Sequence, residues 1–258
     1  MTRQGTIDLL LQRKSIRQYT DEDPASEVIE TIVRCGQQAP FAAQIGSLLL
    51  SRDRKSNPFG APLLFTGLVD VHRLERVMER RGWTRQSCDL AILLFGIQDA
   101  AYMLQNMVVA GEALGLGSCY LGAAPFMAKK IKEEYGLPKH VFPLVQMTMG
   151  YPAEEAPPRP RYPMELSLFE GRYPEMDDAT VDQGMAIMDE GYLAQDYYKR
   201  ANYMIPLEEG REETFSYETY SWTEHMGRKW GQWLKDPGAV LDQLKACGFD
   251  LGGADERA

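Results

Sequence analysis

Apolar positions recur along this 258-residue chain at two different spacings. Residues 6–12 carry a short amphipathic pattern that predicts a helix. The start signal Asp21-Glu22-Asp23-Pro24 predicts a second, whose Val28, Ile29, Ile32 and Val33 share one face and which ends over Gly36 to Pro40. Leu48-Leu49-Leu50 and the run Ala61 to Val69 read as sheet strands on either side of a turn-rich stretch from Arg52 to Gly60. From Asp89 to Leu114 the text contains no proline and is apolar on nearly every side, which predicts a helix buried in the core or in a subunit interface. A Gly-rich segment then breaks that helix. A further helix is expected over Lys129 to Tyr135 and a strand over Val141 to Met149, ending at Gly150-Tyr151-Pro152. Helices interleaved with a few strands predict an α+β fold, an α/β sandwich in which helices cover a sheet.

Beyond Pro152 the prolines at 157, 158, 160 and 163 predict an extended connector, after which the text turns aromatic and acidic. Met185, Ile187, Met188, Tyr192, Leu193, Tyr197 and Tyr198 fall at helical spacing within Val181 to Ile205. Phe215 to Trp222 and Trp230-Gly231-Gln232-Trp233 add aromatic clusters. This divides the chain into residues 1–165 and a mainly helical C-terminal extension, 166–258, that serves as a dimerisation arm or as a lid.

Composition narrows the function. At 44% hydrophobic and 25% charged residues the chain is an ordinary globular protein, and its net charge of −9 argues against nucleic acid or an anionic lipid surface as the partner. Any anion site has to be local. Cys35, Cys88, Cys119 and Cys247 form no CxxC pair, which removes the zinc and iron–sulfur readings and suits reduced thiols. The N-terminus has no signal-peptide pattern and no run reaches the ~18 apolar residues of a membrane span, so a cytoplasmic protein is expected. His72, His140 and His225 stand alone and read as satisfied or exposed rather than catalytic.

Three local features carry chemistry. Arg13, Lys14, Ser15 and Arg17 put three cations and a hydroxyl into five residues, the donor set a phosphate needs, although by itself such a run fits a solvated turn better. Gly115 to Gly122 (GLGSCYLG) lets the backbone approach a flat ligand but lacks dinucleotide-fingerprint spacing, and it also fits a simple helix stop. Pro158-Arg159-Pro160-Arg161 holds two arginines on stiff backbone, or is a surface linker.

Taken in order, these landmarks resemble the nitroreductase-like FMN-dependent oxidoreductases. RKSIRQY stands for the family's RRSIRxF-like opening, and Ala39-Pro40-Phe41-Ala42-Ala43-Gln44 for its APSxxN-like turn. GLGSC and a GYP turn followed by PR-rich text complete a series that spans roughly residues 7–165. The resemblance implies a central, mostly antiparallel sheet flanked by helices, and a homodimer with FMN at the subunit interface. NADH or NADPH is then the electron donor in a ping-pong cycle to a nitroaromatic, quinone or similar conjugated small-molecule acceptor.

It also implies roles. Arg13 and Arg161, helped by Arg159, hold the FMN phosphate, with Lys14 and Ser15 at the ribityl or phosphate end. Arg17 lies near the flavin's N1 and O2, where a cation favours the reduced anionic ring. Cys119, Tyr120, Leu121 and Gly122 line the ring, as do Pro40, Phe41, Ala42 and Gln44. No side chain is required as a catalytic acid or base, and no metal is called for.

The chain departs from the pattern where the family's serine, asparagine and glutamine are replaced by Phe41, Gln44 and Gly46. Gln44 keeps amide chemistry one methylene further out, and Phe41 offers an apolar face. The short connection from Leu50 to Ala61 implies a pocket that is more open or covered by something else, for which the C-terminal extension is the candidate. A flavin-sequestering protein, or a specialised flavin-dependent reduction, is the alternative reading.

Overall fold

The computed structural model describes residues 3–233, 236 and 238–251. The parts of the C-terminal extension at 234–235, 237 and 252–258 lie outside the described residues. The chain divides into two compact units: the first takes residues up to Ala156 and resumes at Gly238, and the second begins at Pro157.

In the first unit the elements follow as α1 (Arg3–Gln12), α2 (Ser26–Gln37), β1 (Gly46–Ser51), β2 (Leu63–Asp70), α3 (Val71–Arg80), α4 (Asp89–Ala113), β3 (Gly117–Leu121), α5 (Ala128–Tyr135) and β4 (Val141–Gly150). The strands form one antiparallel sheet in the order β1-β2-β4-β3. Leu63 to Val69 is buried at every residue, as a strand covered on both faces must be, whereas β1 is only partly buried along its length. α4 lies across this sheet. It comes so close that a Cβ on Gly67 would sit 2.5 Å from Leu104 Cδ1, so only glycine allows this approach of helix to strand.

The core is the meeting of α2 (Ile29, Ile32), β2 (Leu63, Phe65), α4 (Met103, Leu104, Met107, Val108) and β4 (Met147, Met149). Each such side chain contributes roughly 1.5–3 kcal/mol by leaving water. α4 is long and apolar enough by length and composition to cross a membrane, with mean hydropathy 1.3 over an 18-residue window, although polar residues interrupt it and no unbroken run reaches the ~18 apolar residues of the sequence criterion. Half of that stretch is buried inside this unit, which makes α4 the core helix expected from its sequence.

Three elements differ from the sequence-based expectation. The Gly-rich break after α4 contains a strand, β3, paired with β4 from Gly117↔Gly150 to Leu121↔Gln146. α3 forms from the mostly polar text VHRLERVMER, of which only Val71 is buried; Asp70 caps it by accepting from Arg73 N at 3.1 Å. Residues 238–251 belong to the first unit instead of continuing the extension, so the compact units do not divide at 165/166. There α9 (Ala239–Ala246) and the residues after it put Leu244, Cys247 and Phe249 into a cluster with Val69 and Phe142. Lys132 Nζ donates to Ala246 O at 2.7 Å and His140 N to Cys247 O at 2.8 Å. Beneath them Arg85 pairs with Glu75 (2.8 Å) and Asp89 (2.7 Å), and His140 with Glu75 (2.8 Å).

The second unit contains α6 (Asp178–Ala194), α7 (Tyr197–Ala201) and α8 (Trp222–Arg228). Asp177 caps α6 through Thr180 N (2.9 Å), and Asp189 within α6 accepts from Thr223 N (2.9 Å) at the start of α8. His225 is buried and satisfied: it stacks on Tyr198 with ring centres 4.6 Å apart and shares a hydrogen bond with Tyr220 Oη at 3.0 Å. Burial, followed by the charges of Lys229 and Arg228, lowers its pKa to about 4, so it is neutral. Buried Arg228 is neutralised by Glu213 (2.6 Å) and Glu224 (2.7 Å).

Candidate functional site

The basic run leaves α1 as an extended arm laid along β3, which is an edge strand. Ser15 forms a parallel bridge with Ser118, and Ile16 N donates to Ser118 O at 2.9 Å. Ile16 is buried, its side chain seated against Gly117. The arm then pairs antiparallel with the GYP turn: Thr20 N donates to Tyr151 O (2.9 Å) and Ala153 N to Gln18 O (2.9 Å). Tyr19 Oη donates to Ile16 O at 2.7 Å and lies 2.8 Å from Thr148 Oγ1, and burial pushes its pKa up so that it stays protonated. Three landmarks that are far apart in sequence thus share one sheet edge.

A second clamp holds the arm's far end. From the β1–β2 loop, Arg54 Nε donates to Asp23 Oδ1 (2.8 Å), Nη2 to Glu22 O (3.0 Å) and Nη1 to Thr20 O (3.1 Å), while Arg52 Nη2 donates to Pro24 O (3.2 Å).

Arg13, Lys14, Ser15 and Arg17 are all half-buried, and among the described residues none of the three cations forms an ion pair. Half-buried cations held outside ion pairs attract an anionic ligand, even with the carboxylates of Glu112 and Glu154 close by. Lys14 and Glu112 line the same cavity of about 360 Å³, and burial raises the Glu112 pKa against the pull of Arg13 and Lys14. On β3, Cys119 is buried and its thiol pKa raised by that burial, while Tyr120 is pushed up to about 12 for the same reason. Because Ser118 turns its carbonyl to the arm, strand alternation turns the main-chain groups of Tyr120 to the same edge. Leu121 is half-buried and Gly122 exposed.

The turn Pro40 to Gln44 is built around a carboxylate that sequence reading missed. Asp99, buried in the middle of α4, accepts from Ala42 N (2.6 Å), Ala43 N (3.1 Å) and Ile45 N (3.0 Å). Gln44 adopts φ 51°, a left-handed conformation, and Arg73 Nη2 holds it by donating to Gln44 O and to Gly46 O (2.9 Å). Phe41 is 55% exposed at this turn, beside a cavity of about 560 Å³ lined by Pro40, Phe41, Gln44, Ser47, Arg73 and Met103 among others. No residue of the arm or of β3 lines that cavity. One chain therefore presents two separate surfaces from the sequence-derived set: arm with β3, and turn with α4.

Arg159 and Arg161 belong to the second unit. Arg159 lies 4.1 Å over the Tyr197 ring and donates to Gln195 Oε1 (2.6 Å), so it is largely committed there. Arg161 is exposed and donates to Arg159 O (3.0 Å) and Pro160 O (2.9 Å).

An antiparallel sheet wrapped by helices defines an α+β protein, and its edge arm carries three half-buried cations that form no ion pair among the described residues. Comparison with known proteins says which kind. The model of the Nitroreductase family matches residues 53–151. The oxygen-insensitive NADPH nitroreductase of Salmonella typhimurium is 30% identical over 74% of this chain and 83% of its own length. The FMN reductase (NADPH) of Bacillus subtilis is 27% identical over 66% of this chain and 74% of its own. Among solved structures, the NfrA1 nitroreductase of B. subtilis superposes with a TM-score of 0.79 at 25% identity, covering 96% of this chain and all of that one. The chain belongs to the nitroreductase family, and its fold is the nitroreductase fold.

Proposed function

We propose that this protein is an NAD(P)H-dependent FMN oxidoreductase that reduces a conjugated acceptor such as a nitroaromatic or a quinone. Family membership supports the cofactor and the donor, since the relatives' names carry NADPH and FMN. The observation that carries the site is the trio of half-buried cations on the arm that form no ion pair among the described residues.

The residues fit the cofactor. Arg13, Lys14 and the Ser15 hydroxyl supply the donors a phosphate dianion needs, and the edge of β3 from Cys119 to Gly122 offers backbone to the ring. Arg17 presents a cation to the ring's polar edge. When bound, FMN would supply the hydride-transfer chemistry between NAD(P)H and the acceptor. The chain's part is to bind, orient and set the local field, and in this reading no side chain acts as acid or base. For Arg159 and Arg161 the support is the resemblance alone.

We place the FMN between two copies of the chain, with arm and β3 from one and Pro40, Phe41, Ala42 and Gln44 from the other. The support is that no residue of the arm or of β3 lines the cavity beside the turn. In addition, α4 leaves Leu90, Leu94, Phe95 and Tyr102 about half exposed, an apolar stripe suited to a partner. The four cysteines stand as free thiols, in keeping with a cytoplasmic protein.

The purified protein should be yellow and should bleach when NADH or NADPH is added without oxygen. A yellow protein that neither nucleotide bleaches would be a flavin store, not a reductase. Arg13→Ala and Arg161→Ala should each lower the flavin content, and full retention in both would put the phosphate elsewhere.

A further inference from the structure

We propose that Glu154 is a positioning residue for the flavin, acting through Arg17; this rests on the FMN reading above. Glu154 follows the GYP turn at the end of β4. Its Oε1 accepts from Arg17 N and also from Gln18 N, at 3.1 Å for the latter. A carboxylate beside an arginine ordinarily pairs with the guanidinium. Here no ion pair joins the two among the described residues, and the Arg17 side chain makes no hydrogen bond to any of them. The carboxylate therefore fixes the main chain of Arg17 by a charge-assisted contact and leaves the guanidinium's five donors for a ligand.

Glu154 also contributes charge. The Cys119 thiol and the Tyr19 phenol each feel Arg17 and Glu154 with opposite sign, which places both charges around the same end of β3. The field at a ring lying on that edge is the difference between a cation and an anion. Removing the anion alone should make the flavin easier to reduce, and removing the anchor should make it bind less well.

Glu154→Gln separates the two effects, because the amide keeps an acceptor oxygen and loses the charge. The measurements are FMN titration of the apoprotein and the midpoint potential of the FMN-loaded protein. We expect Glu154→Ala to weaken FMN about tenfold, as loss of one hydrogen bond to a charged group does. Glu154→Gln should stay within about threefold of wild type in affinity and move the potential upward. In an Arg17→Gln background, Glu154→Ala should cost less than about threefold, because its route to the flavin is gone.

Wild-type FMN affinity in Glu154→Ala, or the same tenfold loss with and without Arg17, overturns the proposal. An unmoved potential in Glu154→Gln overturns the electrostatic part, and that variant remains informative if the alanine form does not fold. If Arg17→Gln alone changes neither affinity nor potential, the assignment of Arg17 to the flavin fails and takes this inference with it. If Arg17→Gln weakens FMN and the Glu154 variants do not, only the inference falls.

Discussion

Ile16 fills the space that a side chain at residue 117 would need: a Cβ on Gly117 would lie 2.5 Å from Ile16 Cγ1 and 2.8 Å from its Cβ. The arm can lie flat on β3 only because position 117 is glycine. Gly117→Ala should push the arm off the strand, lower unfolding free energy by about 1–3 kcal/mol and weaken FMN binding. Denaturant melts and flavin titration measure both. An alanine variant with wild-type values would mean that the arm moves aside without cost.

Asp99 should matter more than an acid in the middle of a mostly apolar helix suggests. Asp99→Ala removes the acceptor of three main-chain N–H groups, of which Ile45 N is buried, and should cost about 2 kcal/mol with a smaller loss in Asp99→Asn. Limited proteolysis should then cut near residues 41–44, where the intact turn resists. Equal resistance in all three proteins would show that Arg73 alone holds the turn.

Arg54 reads as a fork. It meets one carboxylate and two carbonyls of the Thr20–Asp23 segment, a geometry lysine cannot reproduce. Arg54→Lys and Arg54→Ala should both cost about 1–2 kcal/mol and speed hydrogen exchange of residues 20–23. Exchange in the lysine variant as slow as in wild type would rule out the fork.

His225 gives the second unit a pH dependence with a definite sign. Its folded pKa is about 4 and the unfolded value about 6.5, so between these pH values the unfolded chain binds a proton that the folded unit does not. Stability is fully present above about pH 6.5 and falls by about 2–3 kcal/mol as the pH drops toward 4. Near-UV circular dichroism melts at pH 7 and 4.5 test this, with His225→Gln expected to flatten the difference. A wild-type profile that is flat in this range contradicts it.

Much of the fold could be read from apolar spacing, because α2, α4, β2 and β4 bury long periodic runs in the main core. β3 could not. Its five residues include Gly117 and Ser118, and its strand state depends on β4 and the arm, which are distant in sequence. α3 escaped notice because its one buried residue is Val71. In the candidate site the arm's cations were legible as a cluster, since their chemistry is local. Asp99, Arg73 and Glu154 were not, because each serves main-chain groups 27 to 137 residues away and sequence carries no mark of such contacts. The arginines at 159 and 161 were legible as a pair, but Tyr197 and Gln195 as partners of the first were not.

The return of α9 to the first unit has a consequence for how the protein is made. Leu244, Cys247 and Phe249 complete the cluster around Val69 and Phe142, yet they are synthesised after the whole of the second unit. At ribosomal speeds of roughly 5–20 residues per second, that part of the first unit waits on the order of ten seconds with an apolar face uncovered. Nascent chains stalled before Gly238 should therefore be the form that chaperones hold.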